Sequence, residues 1–177
     1  MSTDDEARPA ARLTVLAGPS GSGRESVVEL VRARSPSVWL PVPATTRPRR
    51  ESEIDGVDRV FLAPAEFDRR LVDGELLEWS RIGSYRRGTP YQPLRARLDA
   101  GQPVLLSLDL PGVPLVRARL PDSRLVLLSP PGYHPDAVVA AAFEHTLTHD
   151  LTERVADELV GLLGSSYPDP TWSRVRG

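Results

Sequence analysis

The sequence predicts an α/β fold in which helices flank a mostly parallel sheet, and two observations support that prediction. The first is an opening unit made of a buried apolar strand at 13–17, a Gly-rich loop at 18–25 and an amphipathic helix at 26–34. This order of strand, glycine loop and helix is typical of phosphate-loop folds. The second observation is that buried strands alternate with helices along the rest of the chain, which favours parallel pairing.

The spacing of apolar residues defines the later elements. It predicts strands at 57–62, 76–82, 104–109 and 125–128, and helices at 65–72, 92–100 and 151–163. Gly101 follows the second of these helices and is a natural C-terminal stop. In the last helix every fourth residue from Leu151 to Leu163 is leucine or valine, so we expect that face to pack on the core.

The length of 177 residues favours one domain that can bury a sizeable core. We expect a polar, disordered leader at 1–12, a single domain at 13–164 and an irregular tail at 165–177. Within the domain, the stretch at about 44–97 is rich in charges and turns, so it is predicted to form a small inserted region.

Composition and charge exclude several function classes. A net charge of −2 at pH 7 lacks the basic footprint of a general nucleic-acid binder. There is no cysteine, long apolar run or signal-peptide pattern, so we expect a cytoplasmic protein without disulfides or a membrane segment. The three histidines lack the partners of a metal site and are expected at the surface or at helix caps, so no resident metal is predicted. All 22 basic residues are arginine, so no lysine can act in catalysis.

The glycine loop reads GPSGSGRE and has the G-x-x-x-x-G frame of a phosphate-binding loop. In such loops the backbone N–H groups and the positive end of the following helix converge on phosphate oxygens. The candidate phosphate-loop residues are Gly18, Ser20, Gly21, Ser22, Gly23, Arg24 and Glu25. A lysine that reaches the β- and γ-phosphates and a hydroxyl that holds Mg²⁺ normally follow the frame, and here Arg24 and Glu25 stand in their places.

These two replacements leave two interpretations of the loop open. Arg24 keeps the positive charge and is the one candidate catalytic residue, but its planar fork does not reproduce an ammonium ion. Glu25 puts an anion beside a bound triphosphate, and a sign change at about 4 Å is worth roughly 4 kcal/mol at an effective dielectric of about 20. Glu25 can also bind Mg²⁺ directly. The loop therefore either binds a triphosphate or persists as an element of the fold alone.

Six ordered motifs between 13 and 163 resemble those of the guanylate kinase family. They are GPSGSGRE at 18–25, ATTRPRR at 44–50 with EIDGVD at 53–58, ELLEW at 75–79, GTP at 88–90, LDLPG at 108–112 and THDL at 148–151. Motifs in this order and spacing are far more specific than a lone phosphate loop. The resemblance implies a P-loop nucleoside monophosphate kinase fold with a small GMP-binding-type subdomain at about 44–97.

The resemblance also implies roles for five acceptor-site residues. Arg47 and Arg50 would grip the GMP phosphate, because guanidinium forks match phosphate oxygens. Glu78, Thr89 and Asp109 would read guanine. A carboxylate accepts hydrogen bonds from both the N1–H and the exocyclic amino group of guanine, a pairing that adenine cannot match. An active member would use ATP and Mg²⁺.

The chain departs from the family at the acceptor site and at the lid. Pro43 replaces a small hydroxyl residue, as in the guanylate-kinase-like domains of membrane-associated scaffold proteins, which are protein-binding modules. Arg59 and Arg87 stand where the family has two phosphate-contacting tyrosines, and the added charge favours a phosphopeptide, a bisphosphate or a polyphosphorylated nucleotide. The interval at 132–146 has no arginine and lacks the family's helical lid, which excludes water and brings cations onto the transferred phosphoryl group.

Because these departures all fall on catalysis, the sequence predicts a guanylate-kinase-like pseudokinase without a lid. Its expected partner is a GMP-type nucleotide or a phosphorylated protein segment in the former GMP site. The alternative is a weak or altered ATP-dependent guanylate kinase in which Arg24 replaces the lysine and Glu25 or Asp109 helps to hold Mg²⁺. A third hypothesis is an interaction domain whose two pockets are both empty.

Overall fold

The computed structural model describes residues 11–164. Residues 1–10 of the expected leader and the whole expected tail at 165–177, including Trp172, lie outside the described residues. At the start of the described part, the N–H of Ala11 donates to the carbonyl of Leu98 at 2.8 Å. No helix in residues 11–164 is long and apolar enough to cross a membrane.

The described residues form eight strands and six α-helices. The strands are β1 Leu13–Gly18, β2 Ala44–Thr45, β3 Val60–Phe61, β4 Leu76–Ile82, β5 Tyr85–Pro90, β6 Val104–Asp109, β7 Arg124–Ser129 and β8 His145–Thr148. The helices are α1 Arg24–Arg34, α2 Pro64–Val72, α3 Tyr91–Asp99, α4 Val113–Arg119, α5 Ala137–Ala142 and α6 Thr152–Gly164. A single 3₁₀ turn, Leu110–Gly112, connects β6 to α4.

The first sheet is entirely parallel and has the strand order β6-β1-β7-β8. Its central strands are runs of buried apolar residues, as expected for a sheet that helices cover on both faces. Alternate side chains point to opposite faces, so Val15 and Leu108 pack with α3 and α4, whereas Leu16 and Val126 pack with α1 and α6. The predicted α/β fold with helices flanking a parallel sheet is confirmed.

The second sheet, with the order β3-β2-β5-β4, is mixed rather than parallel. β2 pairs parallel with β3 but antiparallel with β5, and β4 and β5 form an antiparallel hairpin. Gly83, with φ of +59°, lies in the turn of that hairpin. α2 covers this sheet with Phe67, which is fully buried and packs with Ala44 and Leu76. Three of the seven predicted acceptor-site residues, Glu78, Arg87 and Thr89, lie on this sheet.

Two predicted elements differ in their bounds. The strand expected at 57–62 is only Val60–Phe61, because the Asp58 carboxylate accepts a hydrogen bond from the Ile54 N–H at 2.6 Å and closes a turn there. The last helix begins at Thr152, so Leu151 is 62% exposed and does not join the core. The rest of the predicted apolar face, from Val155 to Leu163, is buried.

The connection between β7 and β8 spans residues 130–144 and contains only α5, a helix of six residues without a buried side chain. The sequence of this helix is AVVAAA. The Asp136 carboxylate caps its N-terminus by accepting a hydrogen bond from the Val139 N–H at 2.8 Å. The family's arginine-bearing lid was expected to be missing from this interval, and the short connection agrees with that expectation.

Candidate active site

A cleft of about 860 Å³ brings the phosphate loop and the predicted acceptor residues together. Ser20 to Glu25 line one side of it. The predicted acceptor residues that line it are Thr89, Asp109, Arg47, Arg59 and Arg87. Residues predicted separately from two distant parts of the sequence therefore share one cavity.

The loop between β1 and α1 has the geometry of a phosphate cradle. Gly21 and Gly23 have φ angles of +78° and +85°, which glycine adopts without strain. A Cβ on Gly18 would lie 2.7 Å from the Leu128 carbonyl oxygen, so this residue allows the loop to sit close against β7. α1 then begins at Arg24, and its N-terminal N–H groups and dipole favour an anion at the loop.

His149, the residue directly after β8, supports the loop and was not singled out as a functional residue from the sequence. Its Nδ1 lies 2.6 Å from the carbonyl oxygen of Ser22, and its Nε2 lies 3.0 Å from the Thr152 hydroxyl. Because a carbonyl only accepts, Nδ1 carries the proton and Nε2 accepts from Thr152. The motif THDL held the signal, since it follows a strand whose carboxyl end lies at the same sheet edge as the phosphate loop.

Replacing Gly23 with alanine should lower stability more than the same change at Gly132. Both residues have positive φ, at +85° and +78°, so alanine costs about 1–2 kcal/mol at either place. Only at Gly23 does the added Cβ also overlap the His149 ring, whereas Gly132 has no atom within 4 Å. Urea unfolding should therefore show a loss at least about 1 kcal/mol larger for Gly23→Ala. Equal losses would contradict the packing of His149 on the loop.

Arg24 and Asp109 form an ion pair at the centre of the cleft. Asp109 is the last residue of β6 and is the register partner of Gly18 on β1, so it lies beside the start of the loop. The side chains of Arg24 and Asp109 are 16% and 31% exposed. Glu25 also lines the cleft but is exposed to solvent. The loop's cation thus already contacts a carboxylate that was predicted to read guanine.

The arginines on the acceptor side of the cleft differ in the groups that their guanidinium charges contact. Glu53 accepts a fork of hydrogen bonds from Arg47 at 2.6 and 2.7 Å. Its carboxylate also lies 3.6 Å from the Nε of Arg59. Arg87 instead donates from Nη2 to the carbonyl oxygen of Ser107 at 3.2 Å. Arg50 is exposed and does not line the cleft, so the structure brings together three of the four predicted phosphate-binding arginines.

Electrostatics follow from these contacts. The hydrogen bonds from Arg47 and from the Arg50 N–H lower the pKa of Glu53 to about 2. Burial lowers the pKa of Arg59, and the neighbouring charges of Arg47 and Arg87 lower it further. The carboxylates of Glu53 and Glu25 raise this pKa but do not outweigh burial and the two arginines, so a bound anion would stabilise the charge of Arg59.

Glu78 and Thr89 face each other across the β4–β5 hairpin; Thr89 lines the cleft, whereas the buried Glu78 is not among the residues that line it. They are register partners, and the Thr89 hydroxyl donates to the Glu78 carboxylate at 2.6 Å. Glu78 is 2% exposed, and this burial raises its pKa above the ordinary 4.5. Nearby Asp109 raises that pKa further, while Thr89 and Arg87 lower it.

The raised pKa of Glu78 predicts a pH-dependent contribution to stability. The folded protein holds this proton more tightly than the unfolded chain, so the free energy of unfolding falls as pH rises from 4.5 through the raised pKa. The Glu78→Gln variant cannot titrate there. The wild type should lose stability relative to Glu78→Gln as pH rises, measured by urea unfolding at a series of pH values from 4.5 to 8. Parallel curves would contradict a buried, titrating Glu78.

Comparison with known proteins now identifies the family, since a family model described as guanylate kinase matches residues 10–153. The chain belongs to the guanylate kinase family. A guanylate kinase of Thermobifida fusca is 43% identical, with 87% of this chain and 91% of the relative covered. One of Nocardia farcinica is 49% identical over 73% of this chain and 67% of the relative. A guanylate kinase crystal structure from Anaplasma phagocytophilum shares the fold, with a TM-score of 0.72, 20% identity and coverage of 93% and 90%.

These relatives overturn the pseudokinase prediction. Curated relatives at 34–49% identity carry the name guanylate kinase, including one from Gloeobacter violaceus at 34% over 91% of this chain. Such relatives support the alternative, an ATP-dependent guanylate kinase, and give no support to a phosphorylated protein partner. The prediction rested on side chains replaced in the phosphate loop, the acceptor site and the lid interval, and such replacements do not by themselves abolish activity.

The alignments to two relatives indicate that this chain is shorter than they are within the aligned region. Those to the Thermobifida fusca and Streptomyces coelicolor guanylate kinases span 179 and 182 positions but use 87% and 89% of these 177 residues. The relatives therefore carry residues that this guanylate kinase homologue lacks. The short β7–β8 connection is consistent with that difference.

Proposed function

We propose that this chain is an ATP-dependent guanylate kinase that transfers the γ-phosphoryl group of ATP to GMP. The observation that carries the proposal is the single cleft in which the phosphate loop faces Glu78-bound Thr89 and the acceptor arginines. Phosphoryl transfer depends chiefly on positioning and on charge stabilisation, and the cleft offers both.

The donor triphosphate fits the phosphate loop. Backbone N–H groups around Gly21 and Gly23 and the first turn of α1 provide the cradle. Arg24 is the cation nearest to it and can transfer its hydrogen bonds from Asp109 to the β- and γ-phosphates. His149 holds the Ser22 carbonyl and keeps the loop in place.

Two carboxylates of the cleft suit Mg²⁺. Glu25 and Asp109 both line it next to Arg24, and Mg²⁺ usually takes one or two carboxylates together with substrate phosphates and water. In residues 11–164 no three His, Cys, Asp or Glu side chains lie close enough together to hold a metal ion, so a metal bound by protein groups alone is not expected. Bound Mg²⁺ supplies neutralisation of the phosphate charge. Glu25 would then hold Mg²⁺ in place of the usual hydroxyl.

The acceptor nucleotide fits the second sheet. The Glu78 carboxylate, oriented by Thr89, accepts from the N1–H and amino group of guanine. Arg59 and Arg87, with Arg47 beside them, hold the phosphate. Arg50 would join only by moving towards the cleft, because its side chain is exposed in this structure.

An ADP-release assay with GMP, AMP, CMP and UMP as acceptors tests the proposal. GMP should be preferred over AMP by at least about 100-fold in kcat/KM, because AMP leaves the buried Glu78 carboxylate without its donors. Glu51→Gln, a neutralised exposed carboxylate outside the cleft, is the matched control and should behave as wild type. Equal use of all four acceptors would contradict guanine recognition, and no ADP release with any of them would contradict kinase activity.

A further inference from the structure

Arg87 connects the acceptor sheet to the phosphate-loop sheet. It lies on β5, yet its guanidinium donates to the carbonyl of Ser107 on β6 at 3.2 Å. Ser107 is two residues before Asp109, the partner of Arg24. In the β1–β6 register Ser107 lies beside Leu16, just below the loop. Both arginines thus contact the carboxyl end of β6 in one cleft. Arg24 reaches it from the phosphate-loop side, and Arg87 reaches it from the acceptor side.

Arg87 interacts with the Glu78 carboxylate only at longer range than an ion pair. Within the described part of the chain it makes no ion pair within 4 Å, whereas Arg47 holds Glu53 in a fork and its strand neighbour Arg86 pairs with Asp68. Only one of the five N–H donors of Arg87 is used, by Ser107. Four donors therefore stay available in a cleft that receives two phosphorylated substrates.

The β7–β8 connection, where the family has its lid, supplies no arginine or lysine to the cleft. The connection from 130 to 144 contains no arginine or lysine, and α5 presents only alanine and valine. Charge that develops on the transferred phosphoryl group needs a cation from elsewhere, and an arginine in that position raises the rate by about 10³–10⁵ in other phosphotransferases.

We propose that Arg87 is a catalytic residue of phosphoryl transfer, whose guanidinium bridges the attacking acceptor oxygen and the transferred phosphoryl group. The inference rests on the kinase function proposed above. In the step an oxygen of the GMP phosphate attacks the γ-phosphorus of ATP and forms a new P–O bond. The bond from that phosphorus to the β,γ-bridging oxygen breaks, and ADP leaves with its electron pair. Arg87 transfers no proton and stabilises the charge on the equatorial oxygens.

Steady-state kinetics of Arg87→Gln and Arg87→Lys separate this role from simple phosphate binding. We expect Arg87→Gln to lower kcat by about 100- to 1,000-fold with KM for GMP changed less than about tenfold, and Arg87→Lys to recover part of kcat. Arg81→Gln is the matched control, since Arg81 is exposed on the adjacent strand β4 and loses the same charge. It should keep wild-type kinetics.

Two further measurements distinguish a failure of the Arg87 role from a failure of the proposed kinase function. GMP binding by calorimetry and a thermal melt show that each variant is folded and occupied. A folded Arg87→Gln variant that keeps kcat within tenfold of wild type while KM rises overturns the inference and leaves kinase function intact. A wild type that binds GMP but forms no ADP overturns the proposed function itself.

Discussion

Replacing Glu78 with glutamine is expected to lower kcat/KM for GMP by about 1,000-fold. Glu78 is 2% exposed and is oriented by the Thr89 hydroxyl, so its carboxylate is held in one position at the base end of the site. The glutamine amide turns one acceptor into a donor, which then faces the N–H groups of guanine. A buried polar mismatch of this kind costs several kcal/mol, and about 1.4 kcal/mol corresponds to each tenfold loss.

The change should also reduce discrimination between acceptors. The loss for AMP should be less than about tenfold, because adenine makes no use of the carboxylate. Initial rates of ADP release at varied GMP and AMP measure both values, with Glu51→Gln as the control for removal of a carboxylate. Equal losses for GMP and AMP would show that Glu78 supports the hairpin rather than reads the base.

Replacing Arg24 with methionine is expected to lower kcat by about 100- to 1,000-fold. Arg24 begins α1 and is the one cation of the phosphate loop, and its guanidinium is directed into the cleft towards Asp109. Methionine keeps a similar length but removes both the charge and the donors. Arg24→Lys restores the ammonium ion that is usual after a G-x-x-x-x-G frame, so it should retain activity within about tenfold of wild type.

Arg95→Met is the control for loss of an arginine, since Arg95 is exposed on α3 and, among residues 11–164, pairs only with Asp99 of the same helix. If Arg24→Met kept wild-type kcat, the donor triphosphate would not be bound by the loop as proposed. A loss confined to KM for ATP would assign Arg24 to substrate binding alone.

The sequence predicted three of the four strands of the first sheet, because β1, β6 and β7 are buried on both faces, but it did not predict β8. The run at 125–128 is apolar without interruption and the run at 104–108 is interrupted only by Ser107, and this signal depends little on other parts of the chain. β5 was not predicted, since its sequence YRRGTP contains two arginines, a glycine and a proline. It becomes a strand by pairing with β4 and β2, which is tertiary context rather than local propensity.

The sequence predicted which residues belong to the candidate site, but it did not predict which side chains contact one another there. The structure places the predicted loop and Thr89 in one cleft, and Thr89 in turn donates a hydrogen bond to the buried Glu78. Sequence motifs could not show that Glu53 neutralises Arg47, that Arg50 faces solvent, or that Arg87 crosses to β6. Those contacts join residues from separate elements, and their partners follow from sheet packing alone.

The most direct test of the account is the conversion of GMP to GDP by the purified chain with γ-labelled ATP and Mg²⁺. Protein in excess over GMP allows a single turnover to be seen even if the rate is low, and Arg24→Met prepared in the same way controls for contaminating kinases. We predict labelled GDP in step with ADP, at a rate at least about 100-fold above that of the variant. Binding of GMP without any GDP, or equal rates for wild type and variant, would contradict guanylate kinase activity in this cleft.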